Sequence, residues 1–347
     1  MKIDMSKSST VSTLAYIAII ITALKLGSSI ILPFLMAFFL FIIFLPLANK
    51  LNKFKIPNII TSLIILTIII FIIFLLVTFL ITSSNDILKH IPMYQDKFNE
   101  LSPQLVAFFE QFNISLEKTN VISYIEPAKV FNYTTTFFQG MGNIVVNIFL
   151  TLVLVMFLLF ESNIIFQKAF YFTKQEHHQE KLELFLKSIS RYFVLKTFTS
   201  LLTAVVVWIM LEYFNLQHAF LFAVLVFILN YIPSVGSILA SFPPLFVALL
   251  QLNLVDTISI ALGYLVINIF IGSFLDPKIM GKDLGLSTFI VFISMVIWGW
   301  IFGPLGMFLA VPLTIMVKII CDNSEHYHWV SIILSDNIIE NKAKYIK

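Results

Sequence analysis

The sequence predicts an all-α, polytopic integral membrane protein, on three observations. The first is its solvation. Of 347 residues 59% are hydrophobic and 12% charged, with a mean hydropathy of +0.96, whereas soluble domains have roughly 45–50% apolar and 25% charged residues. The second is the length of the apolar runs, several of which exceed the roughly 18 residues of a membrane-crossing helix. The third is where proline and glycine collect: in "NYIPSVGS", "SFPPL", "FLDPKIMGKDLG", "GWIFGPLG" and "AVPL", all in the C-terminal half. About eight transmembrane helices are expected, with re-entrant or broken helices in that half.

Residues 1–82 hold the first apolar runs, at 11–27, 29–48 and 57–82. Lys2 and Lys7 precede the first run as in a signal peptide, but Lys25 stands where small cleavage-site residues belong, so this segment is expected to remain as a span. Residues 83–136 form a polar, charge-balanced interval expected to be an extracytoplasmic helical insertion. Tyr94, Phe98, Leu101, Leu105, Phe108 and Phe112 recur at helical spacing, and Ser102-Pro103 fits an N-cap and first helical position dividing the insertion into two helices. That apolar face suits packing within the protein, an oligomer contact being the alternative. Residues 137–160 form a further transmembrane helix.

Residues 161–196 are charged and amphipathic. Leu182, Phe185, Leu186, Ile189 and Phe193 share one helical face while Glu183, Lys187 and Arg191 point away, which predicts a helix lying at the cytoplasmic membrane surface. Residues 197–320 carry the remaining runs, at 197–214, 217–232, 237–252, 255–275, 286–302 and 304–320. Several are short for a full crossing, so some pairs are expected to be re-entrant hairpins or tightly turned helices. Residues 321–347 form a tail. Lys50, Lys53 and Lys55, the lysines between 168 and 196, Lys278 and Lys282, and the tail lysines fall on one side by alternation, so the positive-inside rule places both termini in the cytoplasm.

Arg191 is the only arginine, so no arginine-rich nucleic-acid surface is expected, and the single Cys321 excludes an internal disulfide or a cysteine metal cluster. Walker, dinucleotide, H-E-x-x-H and G-x-S-x-G motifs are absent from the sequence, so neither ATP-driven transport nor catalysis is expected, and no cofactor. His326 and His328 lie beside Cys321 and Asp322 at a spacing that matches no metal site, and are read as solvated or interfacial.

The candidate residues lie at the Pro/Gly motifs, where missing backbone donors leave carbonyls that lipid cannot satisfy. Discontinuous helices of this kind frame binding sites in many secondary transporters. Asn230 lines a polar cavity or bonds a neighbouring helix. Pro233, Ser234 and Gly236 form a gating break or a plain turn between helices. Asn268, deep in its run, is expected to face protein. Asp276, before Pro277, is the candidate ion-coupling site, or else caps the next helix with Lys278 and Lys282 screening it. Gly303, Pro304 and Gly306 complete the route or gating candidates.

The chain from Arg191-Tyr192 through "NYIPSVGS" and "LDPKIMGKDLGLSTFIVFISMVIWGWIFGPLGMFLAVPL" closely resembles the AI-2E transporter family. The residues that carry the likeness are Ile232-Pro233 with Gly236, Pro277 with Gly281, and Gly303 through Pro312. The resemblance implies a multi-pass protein of the bacterial cytoplasmic (inner) membrane that forms homo-oligomers, with the lipid bilayer and a small molecule or ion as partners. It also implies a secondary exporter or permease for a small polar solute such as autoinducer-2, with ion coupling left open. A sodium/proton antiporter and a passive channel-like pore are the alternatives.

Overall fold

The computed structural model describes residues 5–110, 148–172, 176–233, 235–276, 278, 285–322 and 327–336, and among these every regular element is a helix. In order they are α1 Met5–Leu26, α2 Ser28–Lys53, α3 Asn58–Glu110, α4 Ile148–Phe160, α5 Ser162–Phe172 and α6 Glu176–Tyr213. There follow α7 Ala219–Leu229, α8 Gly236–Gln251, and α9 Leu254–Ile267, which continues as a π-helix over Asn268–Leu275. The last are α10 Thr288–Phe302, α11 Pro304–Phe308, α12 Ala310–Asp322 and α13 His328–Leu334.

Four of these are long and apolar enough to cross a membrane: Ser28–Lys53, Asn58–Ser83, Phe185–Tyr213 and Leu254–Gly272. Their outward faces carry large apolar side chains, such as Leu63, Phe71 and Phe74 on α3 and Val266 and Phe270 on α9 and its continuation. Exposure of apolar area on this scale fits lipid as the solvent.

Helix α6 is the central post. Toward its Tyr213 end, Val207 and Leu211 pack with Leu221, Phe222 and Val226 of α7, Val247 and Ala248 of α8, and Ile260 of α9. Toward its other end, Phe185, Ile189, Tyr192 and Phe193 pack against Phe39 and Ile42 of α2 and Leu309 and Leu313 of the α11–α12 region. The apolar face expected to rest on the membrane surface is therefore turned into the protein. One unbroken helix carries both the amphipathic stretch and the following apolar run, so its apolar stripe continues straight into the core. A second expectation also changes: α3 runs continuously through Ser102 and Pro103. Proline removes one hydrogen bond and costs ~3 kcal/mol in a helix interior, yet a long helix can continue past it. Phe112 and the rest of the insertion to residue 136 lie outside the described residues.

The short apolar helices pair as two hairpins. Gln251, at the end of α8, accepts at Oε1 from the Gln217 backbone N–H (2.9 Å) and donates from Nε2 to the Asn215 carbonyl (3.0 Å). Hairpin α7–α8 thus leaves and returns at the Tyr213 end of α6. Its turn, Asn230 to Val235, lies well back along α6, where Asn230 bonds Ser200, thirteen residues before Tyr213 and so roughly 20 Å along the axis. Hairpin α10–α12 enters from the other end. Lys318 on α12 donates to the Gly285 carbonyl (2.5 Å), and the Ser287 N–H bonds the Leu334 carbonyl (3.3 Å), so both of its ends sit together.

The chain reverses at Gly303, whose φ of +69° and ψ of −153° favour a residue without a Cβ. Pro304 then opens α11 at the position where its missing N–H costs nothing.

Candidate functional site

The two hairpins enter from opposite ends and meet. Ile232 in the first turn packs into a cluster with Met295 and Ala310 of the second hairpin, flanked by Val235, Trp298 and Met307. The Tyr231 and Phe308 rings stack with centroids 4.8 Å apart, and Phe308 in turn lies 6.3 Å from the Phe193 ring of α6. Pairs of this geometry add ~0.5–1.5 kcal/mol beyond the area they bury. Close approach of the backbones makes the turns compact: a Cβ on Gly236 would overlap the Leu229 carbonyl, and one on Gly306 the Trp298 carbonyl. Trp298 Nε1 donates to Thr314 Oγ1 (3.1 Å), which ties the two arms of the second hairpin.

Beneath these tips α6 presents a buried polar stripe. Lys196, Thr199, Ser200 and Thr203 recur at the three- and four-residue steps that place them on one helical face, and each is at most 5% exposed. The two threonine hydroxyls return to the helix, Thr199 Oγ1 to the Lys196 carbonyl (3.3 Å) and Thr203 Oγ1 to the Thr199 carbonyl (2.8 Å). Ser200 Oγ instead accepts from Asn230 Nδ2 (3.0 Å). Next to the stripe, Thr197 Oγ1 gives its only proton to the Phe193 carbonyl (2.6 Å), so the Tyr231 hydroxyl 2.6 Å away must donate to Thr197. The first turn is therefore held to α6 by two side-chain bonds, at Ser200 and Thr197.

Lys196 Nζ lies 2.7 Å from Asp276 Oδ2, with the side chains 6% and 13% exposed. Asp276 sits where the π-helix ends, its own N–H bonded to the Ile271 carbonyl. Its second oxygen, Oδ1, is buried without a hydrogen-bond partner among the described residues. An ionised carboxylate offers about four acceptor positions and an ammonium three donors, so one contact leaves both groups with capacity for a further polar guest. Ionisable groups inside a membrane-spanning bundle are costly and default to a functional role, and π-helical segments concentrate at such sites.

The sequence candidates are distributed as follows. Asn230 is buried and bonds the neighbouring helix at the stripe, one helical turn from the ion pair. Pro233 lies in the turn and Gly236 opens α8, while Ser234 and Pro277 lie outside the described residues. Asn268 opens the π-helix and is half-buried. Gly303, Pro304 and Gly306 form the second tip. Asp276 is paired, but with a residue 80 positions earlier rather than with Lys278, which is exposed, or Lys282, which is not described.

Lys196, Thr197, Ser200, Tyr231 and Phe308 were not among the candidates. Lys196 in particular is corrected from a surface lysine of the inner side to a buried half of an ion pair. The signal for it was the polar repeat from Lys196 to Thr203 entering an apolar run.

Long apolar helices around two opposed hairpins with a buried ion pair define an α-helical membrane protein. The family model for AI-2E family transporters matches residues 14–326, and the chain belongs to that family. It is 32% identical over 326 residues to the AI-2 transport protein TqsA of Escherichia coli (strain K12), covering 93% of this chain and 94% of that protein. A putative transport protein of Haemophilus influenzae is 30% identical over 337 residues, 94% of this chain and 96% of the relative. The putative transport protein YhhT of Escherichia coli is 31% identical over 307 residues, 88% of each. The chain is thus a multi-pass membrane transporter of a bacterial family.

Proposed function

We propose that the protein is a secondary permease that exports a small polar solute along α6, between the two hairpin tips. The observation that carries this reading is the Lys196–Asp276 pair, buried below both tips with Asp276 Oδ1 unpartnered. A polar guest at the tips replaces the water these groups lose, and the hairpin turns supply the groups that open and close around it. The lysine-rich ends face the cytoplasm by the positive-inside rule, so the first hairpin enters from outside and the second from inside. A small hydroxylated signal such as autoinducer-2 is the favoured cargo, on the name borne by the Escherichia coli relative and on hydroxyl, amide and carboxylate groups at the stripe.

Ion exchange is the second reading, favoured by the same carboxylate, whose charge state would decide whether Lys196 is held. The test uses sealed proteoliposomes with autoinducer-2 inside, followed for efflux with and without imposed sodium and proton gradients, with internal pH recorded. Asp276→Asn and Lys196→Met are run in parallel. Efflux that both substitutions abolish supports the permease. A gradient-driven pH change without efflux, lost in Asp276→Asn, selects the antiporter. Ion currents independent of any gradient coupling select a pore and overturn both.

A further inference from the structure

We infer that the end of α2 carries a binding site for the phosphate of an anionic phospholipid, held between Lys50 and Lys53. Pro46, Asn49, Lys50, Lys53 and Phe54 line a concave pocket of about 500 Å³ there. The two lysines stand three residues apart, which places them on one face of the last turn. Neither has an ion-pair or hydrogen-bond partner among the described residues. Two carbonyls nearby are already used, since the Phe54 N–H bonds that of Leu51 and the Lys55 N–H that of Asn52 (both 3.0 Å). Two unpaired ammonium groups in one concavity complement a phosphate diester anion.

The pocket rests on a braced turn. Asn58 Nδ2 reaches the Phe160 carbonyl (3.2 Å), Asn52 Nδ2 lies 3.4 Å from Asn58 Oδ1, and Thr61 Oγ1 donates to Asn52 Oδ1 (2.8 Å). These bonds fix the α2–α3 connection to the end of α4, so the lysines project from a backbone already in place. The depth is that of lipid headgroups. Phe39 packs 6.0 Å from Phe193, and Lys50 lies eleven residues further along α2, roughly 16 Å, while the apolar span of α6 ends at Phe185, roughly 12 Å from Phe193. A lipid fits better than a free anion because the rim is apolar. Phe54 is 69% exposed beside the lysines, and Ile59, Ile60 and Leu63 are exposed just past the turn, where acyl chains would lie.

The experiment is native mass spectrometry of the full-length protein with equal amounts of phosphatidylglycerol and phosphatidylcholine, reading the ratio of the two singly lipid-bound forms. Lys50→Gln and Lys53→Gln should each lower the phosphatidylglycerol preference about fivefold, the effect of one basic side chain near an anionic surface. Lys278→Gln, at an exposed lysine outside the pocket, should leave the ratio unchanged. Both pocket lysines are exposed, so their variants should keep wild-type thermal stability in phosphatidylcholine. A wild-type ratio in the Lys50→Gln/Lys53→Gln double variant overturns the site. An equal loss from Lys278→Gln shows diffuse surface charge instead, and loss of the preference when inorganic phosphate replaces chloride at equal ionic strength shows a free-anion site. Either result overturns the lipid assignment.

Discussion

Breaking the buried pair from one side should cost more than removing it from both. At 2.7 Å the attraction between Lys196 and Asp276 is ~6 kcal/mol with an effective dielectric of about 20. Taking each ion out of water costs several kcal/mol, so the pair as a whole is close to neutral for stability. Asp276→Asn removes the attraction and keeps the desolvated ammonium. The expected loss is ~3–5 kcal/mol, and the same range applies to Lys196→Met, which strands the carboxylate. Lys196→Met combined with Asp276→Leu leaves no buried charge and should return to within about 1 kcal/mol of the wild type, or exceed it. The assay is thermal unfolding of the purified variants in one detergent, where a loss of this size corresponds to a fall of roughly 4–7 °C for a chain of 347 residues. Losses that simply add in the double variant would refute the reasoning, because they would show that the two charges do not depend on each other in the folded protein.

Glycine substitutions should separate the tips from the helix between them. Gly236→Ala meets the Leu229 carbonyl and should destabilise by on the order of 1–3 kcal/mol, whereas Gly272→Ala meets nothing within 4 Å and should be neutral or stabilising by up to about 1 kcal/mol, read by the same thermal assay. Tyr231→Phe loses the bond to Thr197 and keeps the ring on Phe308, so stability should fall by only ~0.5–1.5 kcal/mol while efflux through the tips changes. Gln251→Leu removes both bonds that close the first hairpin, and hydrogen exchange should accelerate at Gln217, whose N–H bonds Gln251, with the Lys196 end of α6 unaffected.

Much of this architecture is legible in the sequence because lipid imposes simple rules. Apolar length marks the long helices, and Pro with Gly marks the places where a helix must turn, so "NYIPSVGS" and "IFGPLG" were readable as breaks. Which way the chain goes after a break is not local information. The return of α8 depends on Gln251 meeting Asn215 and Gln217, a contact between two polar ends that hydropathy does not encode. Asp276 was readable as an exceptional acid, but adjacent Lys278 and Lys282 offered a nearer partner than Lys196. Lys196 was obscured by its position at the start of an apolar run, where a lysine commonly marks the membrane edge. The stretch of α6 that is long and apolar enough to cross a membrane begins earlier, at Phe185, so Lys196 and the polar repeat through Thr199, Ser200 and Thr203 fall inside it.

The central claim is that solute passes where the two hairpin tips meet, and tethering the tips tests it most directly. Val235 and Met307 come from opposite hairpins and pack at the same cluster, so both are replaced by cysteine with Cys321, the only native cysteine, changed to serine. A short bifunctional thiosulfonate reagent then joins them in sealed proteoliposomes loaded with autoinducer-2. Efflux should stop on cross-linking and return when the tether is reduced, while the single-cysteine variants continue under the same reagent. Undiminished efflux through fully cross-linked protein would contradict the account and place the route elsewhere in the bundle.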